Sequence, residues 1–317
     1  MTRMPSERNS RVVLILREFR AFCNMTFLLD TKILLCIMVS MNKLPLEKQV
    51  QVISALVEGN SIRATVRMTG VAKNTIVKLL IAIGQKCDEY QDKVLRDLPC
   101  RRIQCDEIWS FCYAKDKNIP KERLGQPGVG SVWTWTAMCA DSKLIPSWMV
   151  GGRDAQSAHA FMQDLAKRLR NRVQLTTDGH RVYLDAVEKA FGANIDYAML
   201  VKIYGADPSE SETRYSPAQC IGIEVANVSG SPKKHHVSTS FVERQNLTMR
   251  MQMRRFTRLT NGFSKKLENH KHAIALHFMH YNFCRVHQTL RVTPAIEAGV
   301  ADHVWSIEEM LKLIESN

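Results

Sequence analysis

Three carboxylates in this chain occupy settings that suit divalent-metal chemistry: Asp106, Asp178 and Glu243. Asp106 lies in a β-rich run from Arg101 to Phe111. Asp178 ends the run Val173-Gln174-Leu175-Thr176-Thr177 just before Gly179, and Glu243 opens a basic helical stretch from Phe241 to Arg250. Magnesium prefers oxygen ligands in octahedral geometry and keeps several waters, so a few carboxylates and a substrate phosphate suffice to hold it. Two such ions about 3.5–4 Å apart activate the attacking oxygen and stabilise the leaving one in an in-line displacement at phosphorus. With water attacking, a DNA strand is cut; with the freed 3′-hydroxyl attacking, it is joined to another.

Each acid also has a plain explanation. Ile103, Cys105, Trp109, Phe111 and Tyr113 alternate as an apolar row, so Asp106 points to the other strand face, where an exposed carboxylate is unremarkable. Glu107 interrupts that row, and pattern alone allows either acid to be the ligand, with Asp106 preferred. Asp178-Gly179 is a hairpin-turn dipeptide, yet the segment after it reads as helix rather than returning strand. A strand-end carboxylate is also where open α/β sheets gather ligands. Ser240-Phe241-Val242-Glu243 fits a capping box, and a Glu folded onto its own N-cap does not reach a metal.

The chain has 317 residues, 45% of them hydrophobic, which allows two domains and a sizeable core. Its formal net charge of +13 favours a polyanionic partner. Between Glu243 and His272 eight basic residues (Arg244, Arg250, Arg254, Arg255, Arg258, Lys265, Lys266, Lys271) face two acids, Glu243 and Glu268. Arg250 lies two helical turns beyond Glu243, roughly 10 Å along the axis. There Arg250, Asn246 and Arg254 are candidate DNA contacts. The nine cysteines include no Cys-x-x-Cys pair, so reduced thiols in a bacterial cytoplasm, near the nucleoid, are expected and a zinc finger is not. His270, His277, His280 and His287 read as a half-buried helix flank rather than a metal stripe. The most apolar stretch, Ile33–Met41, is far short of the roughly 20 residues that span a bilayer.

Residues 1–40 lack caps and clean periodicity and are expected to be a start-site artefact or a loose arm. Residues 41–87 read as a domain of three short helices. Leu46 to about Glu58 stops at Gly59-Asn60; a second starts at Ser61 and ends at Thr69-Gly70; a third carries Ile76, Leu79, Leu80 and Ile83 on one side. Two helices joined by a Gly-containing turn match a helix-turn-helix, whose later helix enters the major groove N-terminus first. Lys73, Asn74, Thr75 and Lys78 are then the candidate base and phosphate contacts. Residues 88–100 read as a charged linker. Strands at 101–113, 132–139 and 144–150, the last two joined by a turn at Asp141-Ser142-Lys143, precede a helix from Asp154 to Leu169. Strand 173–177, helix 183–191 and strand 196–203 follow. This mixed α/β order, three strands and then alternation, is that of a ribonuclease-H-like domain with a mixed sheet, spanning 101–305. Within it, 205–238 reads as an irregular insertion with a short hairpin, followed by a basic helix 240–257 and a final helix 267–284. A C-terminal helix is expected over 306–317.

At these residues the sequence resembles the DDE transposases of bacterial insertion sequences, most closely the IS-one family. The matching segments are Cys105–Phe111, Thr177-Asp178-Gly179, and Val242–Leu247 with Arg250 after it. Tyr281–Leu290 and Thr293-Pro294-Ala295 further resemble the closing signature of such catalytic domains. The resemblance spans about Met41 to Trp305. It implies Asp106, Asp178 and Glu243 as the catalytic, metal-binding triad, with Arg250 as the accompanying basic residue. It further implies Mg²⁺, for which Mn²⁺ substitutes, and a multimer acting on double-stranded DNA, at terminal inverted repeats and at a target. Some relatives carry a zinc finger before the helix-turn-helix, and this chain has no cysteine spacing for one. A metal-dependent nuclease that cuts without joining and a catalytically inactive DNA-binding repressor are the competing readings.

Overall fold

The computed structural model describes residues 44–205, 220–257 and 260–315. The expectation for residues 1–40 lies outside these, as do Arg258 and most of the first half of the 205–238 segment.

Three helices come first. α1 (Leu46–Val57) buries Val52, Ile53 and Val57. α2 (Ile62–Thr69) begins where Ser61 accepts a hydrogen bond from the Ala64 N–H and ends at Gly70, whose φ of 71° is left-handed. α3 (Lys73–Val94) is 22 residues long. The stretch 88–94, expected as linker, is therefore the last two turns of α3. Its charges mark a solvated face, while Cys87 and Gln91 turn inward. Gly84 makes this possible, because a Cβ there would lie 2.5 Å from the Cβ of His272 on α7 (Leu267–Met279). Gln91 Nε2 donates to the Ala275 carbonyl of the same helix at 3.2 Å.

The sheet is built from β1 (Arg102–Cys112), β2 (Gly130–Cys139), β3 (Ser147–Gly151), β4 (Val173–Asp178), β5 (Ile195–Tyr204) and β6 (Cys220–Ser229). Its order is β3-β2-β1-β4-β5-β6. β1, β4 and β5 are parallel neighbours, and β2, β3 and β6 pair antiparallel. The first five strands match the ribonuclease-H-like arrangement. The turn at Asp141–Lys143 joins β2 to β3, with Lys143 at φ 60°. β6 corrects the expectation for the insertion: residues 220–229 are a sixth strand on the sheet edge. Its exposure and its Gly and Asn residues had hidden it.

Helices cover both faces. α4 (Ala155–Arg168), capped by Asp154, and α5 (Val182–Phe191) bury Trp135, Phe161 and Tyr183 on one side. α6 (Ser240–Gln252) and α7 lie on the other, where Ser110 of β1 meets His270 of α7 at 3.1 Å. The expected half-buried histidine flank is thus corrected at two positions: His270 and His277 are buried, and burial pushes both rings down to about 3. A π-helical turn, His280–Cys284, ends α7, and α8 (Pro294–Glu297) and α9 (Ile307–Lys312) close the chain.

Candidate metal centre

The parallel register of β1 with β4 pairs Ile103 with Leu175 and Gln104 with Thr176. Two residues further along both strands, Asp106 comes beside Asp178. Carboxylate oxygens of Asp106, Glu107 and Asp178 all lie within 4.8 Å of one another. Asp106 takes a hydrogen bond from the Glu107 N–H at 2.9 Å and another from Asn246 Nδ2 at 2.8 Å. The His180 N–H donates to Asp178 Oδ1 at 3.0 Å. Glu107, left open in the sequence as the alternative to Asp106, is buried and joins it instead. Tyr183 of α5 stands against Glu107, which is buried at that point of the row.

Glu243 opens on the same cleft of about 480 Å³, lined also by Asp106, Asp178, Arg153, His180 and Lys202. Two contacts hold its carboxylate: Lys202 Nζ at 2.5 and 2.6 Å from the two oxygens, and the Thr239 hydroxyl, which donates at 2.6 Å. The capping box does not form. α6 starts one residue earlier than the motif requires, with Thr239 at the N-cap and Ser240 already inside the helix. The backbone N–H groups of Phe241 and Val242 are satisfied instead by Gln104 Oε1, at 2.9 and 3.1 Å. A buried glutamine from β1 thus caps α6 from outside the helix and fixes where Glu243 begins. Asp106 and Asp178 stand together with Glu107, and Glu243 opens on the same cleft with a lysine on it.

Electrostatics follow from three carboxyl groups sharing one cleft with two cations, Arg153 and Lys202, and from Glu107 buried beside it. Burial pushes Asp106 up to about 6, and the Asp178 charge adds to it. Burial likewise raises Glu107 to about 7, again with Asp178 contributing. Arg153 answers part of this charge, with Nε 3.4 Å from Glu107 Oε2 and Nη2 3.9 Å from Asp178 Oδ2. Burial works to lower the Lys202 ammonium, and the Glu243 carboxylate outweighs it and raises the pKa. An all-oxygen set, gathered within 4.8 Å and short of cations, fits a hard divalent ion.

Asn246, expected as a DNA contact, is buried with its amide on Asp106 and positions that carboxylate. Arg250 is half-buried on α6, its carbonyl accepting from the Thr257 hydroxyl, and Arg254 is exposed. Lys73, Asn74 and Lys78 are exposed on the first turns of α3, and Thr75 is half-buried. Arg153, Lys202 and Thr239 carry no sequence signal, because their roles arise from elements far apart in the chain. Gln104 does leave a trace: a polar residue inside an apolar strand, two places before Asp106.

No family model matches this sequence, and no curated protein does. Two solved structures align over most of the chain at 12% identity. One is the Mos1 strand transfer complex, covering 87% of this chain and 96% of that one with a TM-score of 0.22. The other is a piggyBac transposase synaptic complex with hairpin DNA, covering 80% of this chain and 56% of that one with a TM-score of 0.28. Scores at this level do not establish a common fold. No helix among the described residues is long and apolar enough to cross a membrane.

Proposed function

We propose that the protein is a DNA transposase of the DDE type, acting at the terminal inverted repeats of an insertion sequence related to the IS-one family. The reading rests above all on the carboxylate oxygens of Asp106, Glu107 and Asp178, gathered within 4.8 Å at adjoining parallel strands, with Glu243 across the same cleft. Bound there, Mg²⁺ or Mn²⁺, as a pair of ions, would supply Lewis-acid activation of the attacking and leaving oxygens. Asp106 and Asp178 would hold the metal, oriented by Asn246 and the His180 N–H. Glu243 would join them by exchanging Lys202, whose ammonium would then meet a DNA phosphate. Helices α2 and α3 form a helix-turn-helix that presents Lys73, Asn74, Thr75 and Lys78 to the element end. Arg250 and Arg254 extend the basic surface beyond Glu243, and the protein works as a homo-oligomer on DNA.

A labelled element end tests this in vitro. Asp106→Ala, Asp178→Ala and Glu243→Ala are each expected to abolish Mg²⁺-dependent cleavage while end binding persists. A precleaved 3′-end should be joined to target DNA, and cutting without joining would leave a nuclease. Cleavage retained in Glu243→Ala and lost in Glu107→Ala would move the third ligand to Glu107. A second reading, a DNA-binding repressor, draws on the Lys202–Glu243 pair and predicts binding unchanged in EDTA with no cleavage under any metal.

A further inference from the structure

The sheet face that carries Glu107 continues outward as a row of aromatic rings. Trp109 and Trp133 are direct cross-strand partners on β1 and β2. Phe111 follows Trp109 on the same face, with ring centroids 5.7 Å apart and planes inclined by 33°. Trp135, one step inward on β2, is fully buried against Phe161 and Tyr183. Trp109, Phe111 and Trp133 lie beyond that cover and are only half-buried. Cations are seated on the row. The Arg153 guanidinium lies 4.7 Å from the Trp133 ring centre, and Lys115 Nζ lies 5.8 Å from that of Phe111. Just past the strand end, Arg123 lies 4.4 Å from the ring centre of half-buried Tyr113. Arg153 also reaches Glu107 and Asp178, so the row runs directly into the carboxylate cleft.

We propose that this aromatic and cationic row binds single-stranded DNA at the mouth of the cleft. Unpaired bases offer π-faces that stack on such rings, and the seated cations meet the phosphates between them. A duplex keeps its bases stacked on one another and would use the cations alone. A protein partner would be served by the rings but not by the cations seated on Phe111, Tyr113 and Trp133. The inference deepens the DNA-processing reading above by naming what lies beside the scissile strand, and its binding is measured without metal.

The test uses the full-length protein in EDTA, with an oligothymidylate of about 20 nucleotides, longer than the roughly 4–16 nucleotides of comparable sites, and a blunt duplex of equal length. Wild type should bind the single strand with quenching of tryptophan fluorescence. Trp133→Ala and Trp109→Ala should each weaken that binding at least about fivefold, the low end for one lost base stack, and leave duplex binding nearly unchanged. Trp133→Phe should retain most of it. The double variant Lys115→Ala, Arg123→Ala changes only exposed side chains, so it reports even where a tryptophan variant fails to fold. It should reduce the single-strand salt slope by about 1.4, as for two phosphates. Single-strand binding unmoved by these changes, or falling in parallel with duplex binding, overturns the proposal. Wild-type cleavage with such unmoved binding would sink the row alone. Ring-dependent binding without any cleavage would sink the transposase reading and keep the row.

Discussion

Replacing Asp106 by Asn should stabilise the metal-free protein, and by an amount that depends on pH. Asp106 is raised from 3.8 to about 6, chiefly by burial and then by Asp178. Its folded state therefore holds a proton that the unfolded chain releases. Below about pH 4 both states are protonated and the group contributes nothing. As pH rises through the window from 3.8 to about 6, the unfolded state ionises first and stability falls. Above it, the ionised group costs about 3 kcal/mol at 1.36 kcal/mol per pH unit, or about 2 kcal/mol once partial solvent access is allowed for. Asn keeps the shape and drops the charge. Asn246 can turn its amide to match, since its own Oδ1 is buried without a partner. The gain in a protein of this size is then roughly 4 °C in melting temperature.

Urea or thermal unfolding in EDTA at about pH 3 and about pH 8 measures it. Wild type and the Asp106→Asn variant should coincide at the lower pH and diverge at the higher. Excess Mg²⁺ should then reverse the order, because an ion at 100 times its Kd stabilises only the protein that binds it, by about 2.7 kcal/mol. A variant destabilised equally at both pH values, or a difference that ignores pH, would refute the view that Asp106 is ionised at a cost, set chiefly by burial and then by Asp178, until a cation joins it.

Lys202→Met should tighten Mn²⁺ binding in calorimetry, since Glu243 no longer exchanges an ammonium for the ion, while strand cleavage falls; weaker Mn²⁺ binding would contradict the pairing. Asn246→Ala removes one donor from Asp106 and should cost about tenfold in cleavage rate, near 1.4 kcal/mol, with end binding retained. Gly84→Ala places a methyl 2.5 Å from His272 and should destabilise by about 2 kcal/mol in urea unfolding through overpacking of α3 on α7. Buried His270 and His277 stay neutral to about 3, so the unfolded chain alone gains protons below about 6.5. Each should then cost about 2 kcal/mol between pH 7 and pH 5, and His270→Asn should reduce that acid sensitivity.

What the sequence revealed was what local pattern controls. Ser61 and Gly70 bracket α2 because a hydroxyl cap and a left-handed glycine act within one turn. Asp106 and Asp178 could be paired in advance because the β-β-β-α-β order makes β1 and β4 neighbours. The misses are of another kind. The polar stretch 88–94 looked like linker, since an exposed helix face and a linker have the same composition, and only Gly84 against His272 separates them. Asn246 falls three residues after Glu243, so helical spacing put it on the functional face. Spacing does not say whether that face meets DNA or β1, and it meets β1. Glu107 breaks an apolar alternation, a signal that reads as error or function until α5 is seen to cover it.

The two halves of the site are held by different means, and this decides which half can move. Asp106 and Asp178 are held by the backbone N–H groups of Glu107 and His180 on strands fixed by sheet register, and Glu107 is buried beside them. Glu243 projects from a helix end whose start is set by Gln104, with two side-chain partners, Lys202 and Thr239. A lysine on one half-exposed carboxylate is exchanged at little cost, since such pairs contribute about 1 kcal/mol or less. A divalent ion offered to the rigid cluster gains from every carboxylate at once. Of the two halves, Glu243 is therefore the one able to move: it would join a metal held by Asp106 and Asp178 by exchanging Lys202, which lines the same cleft.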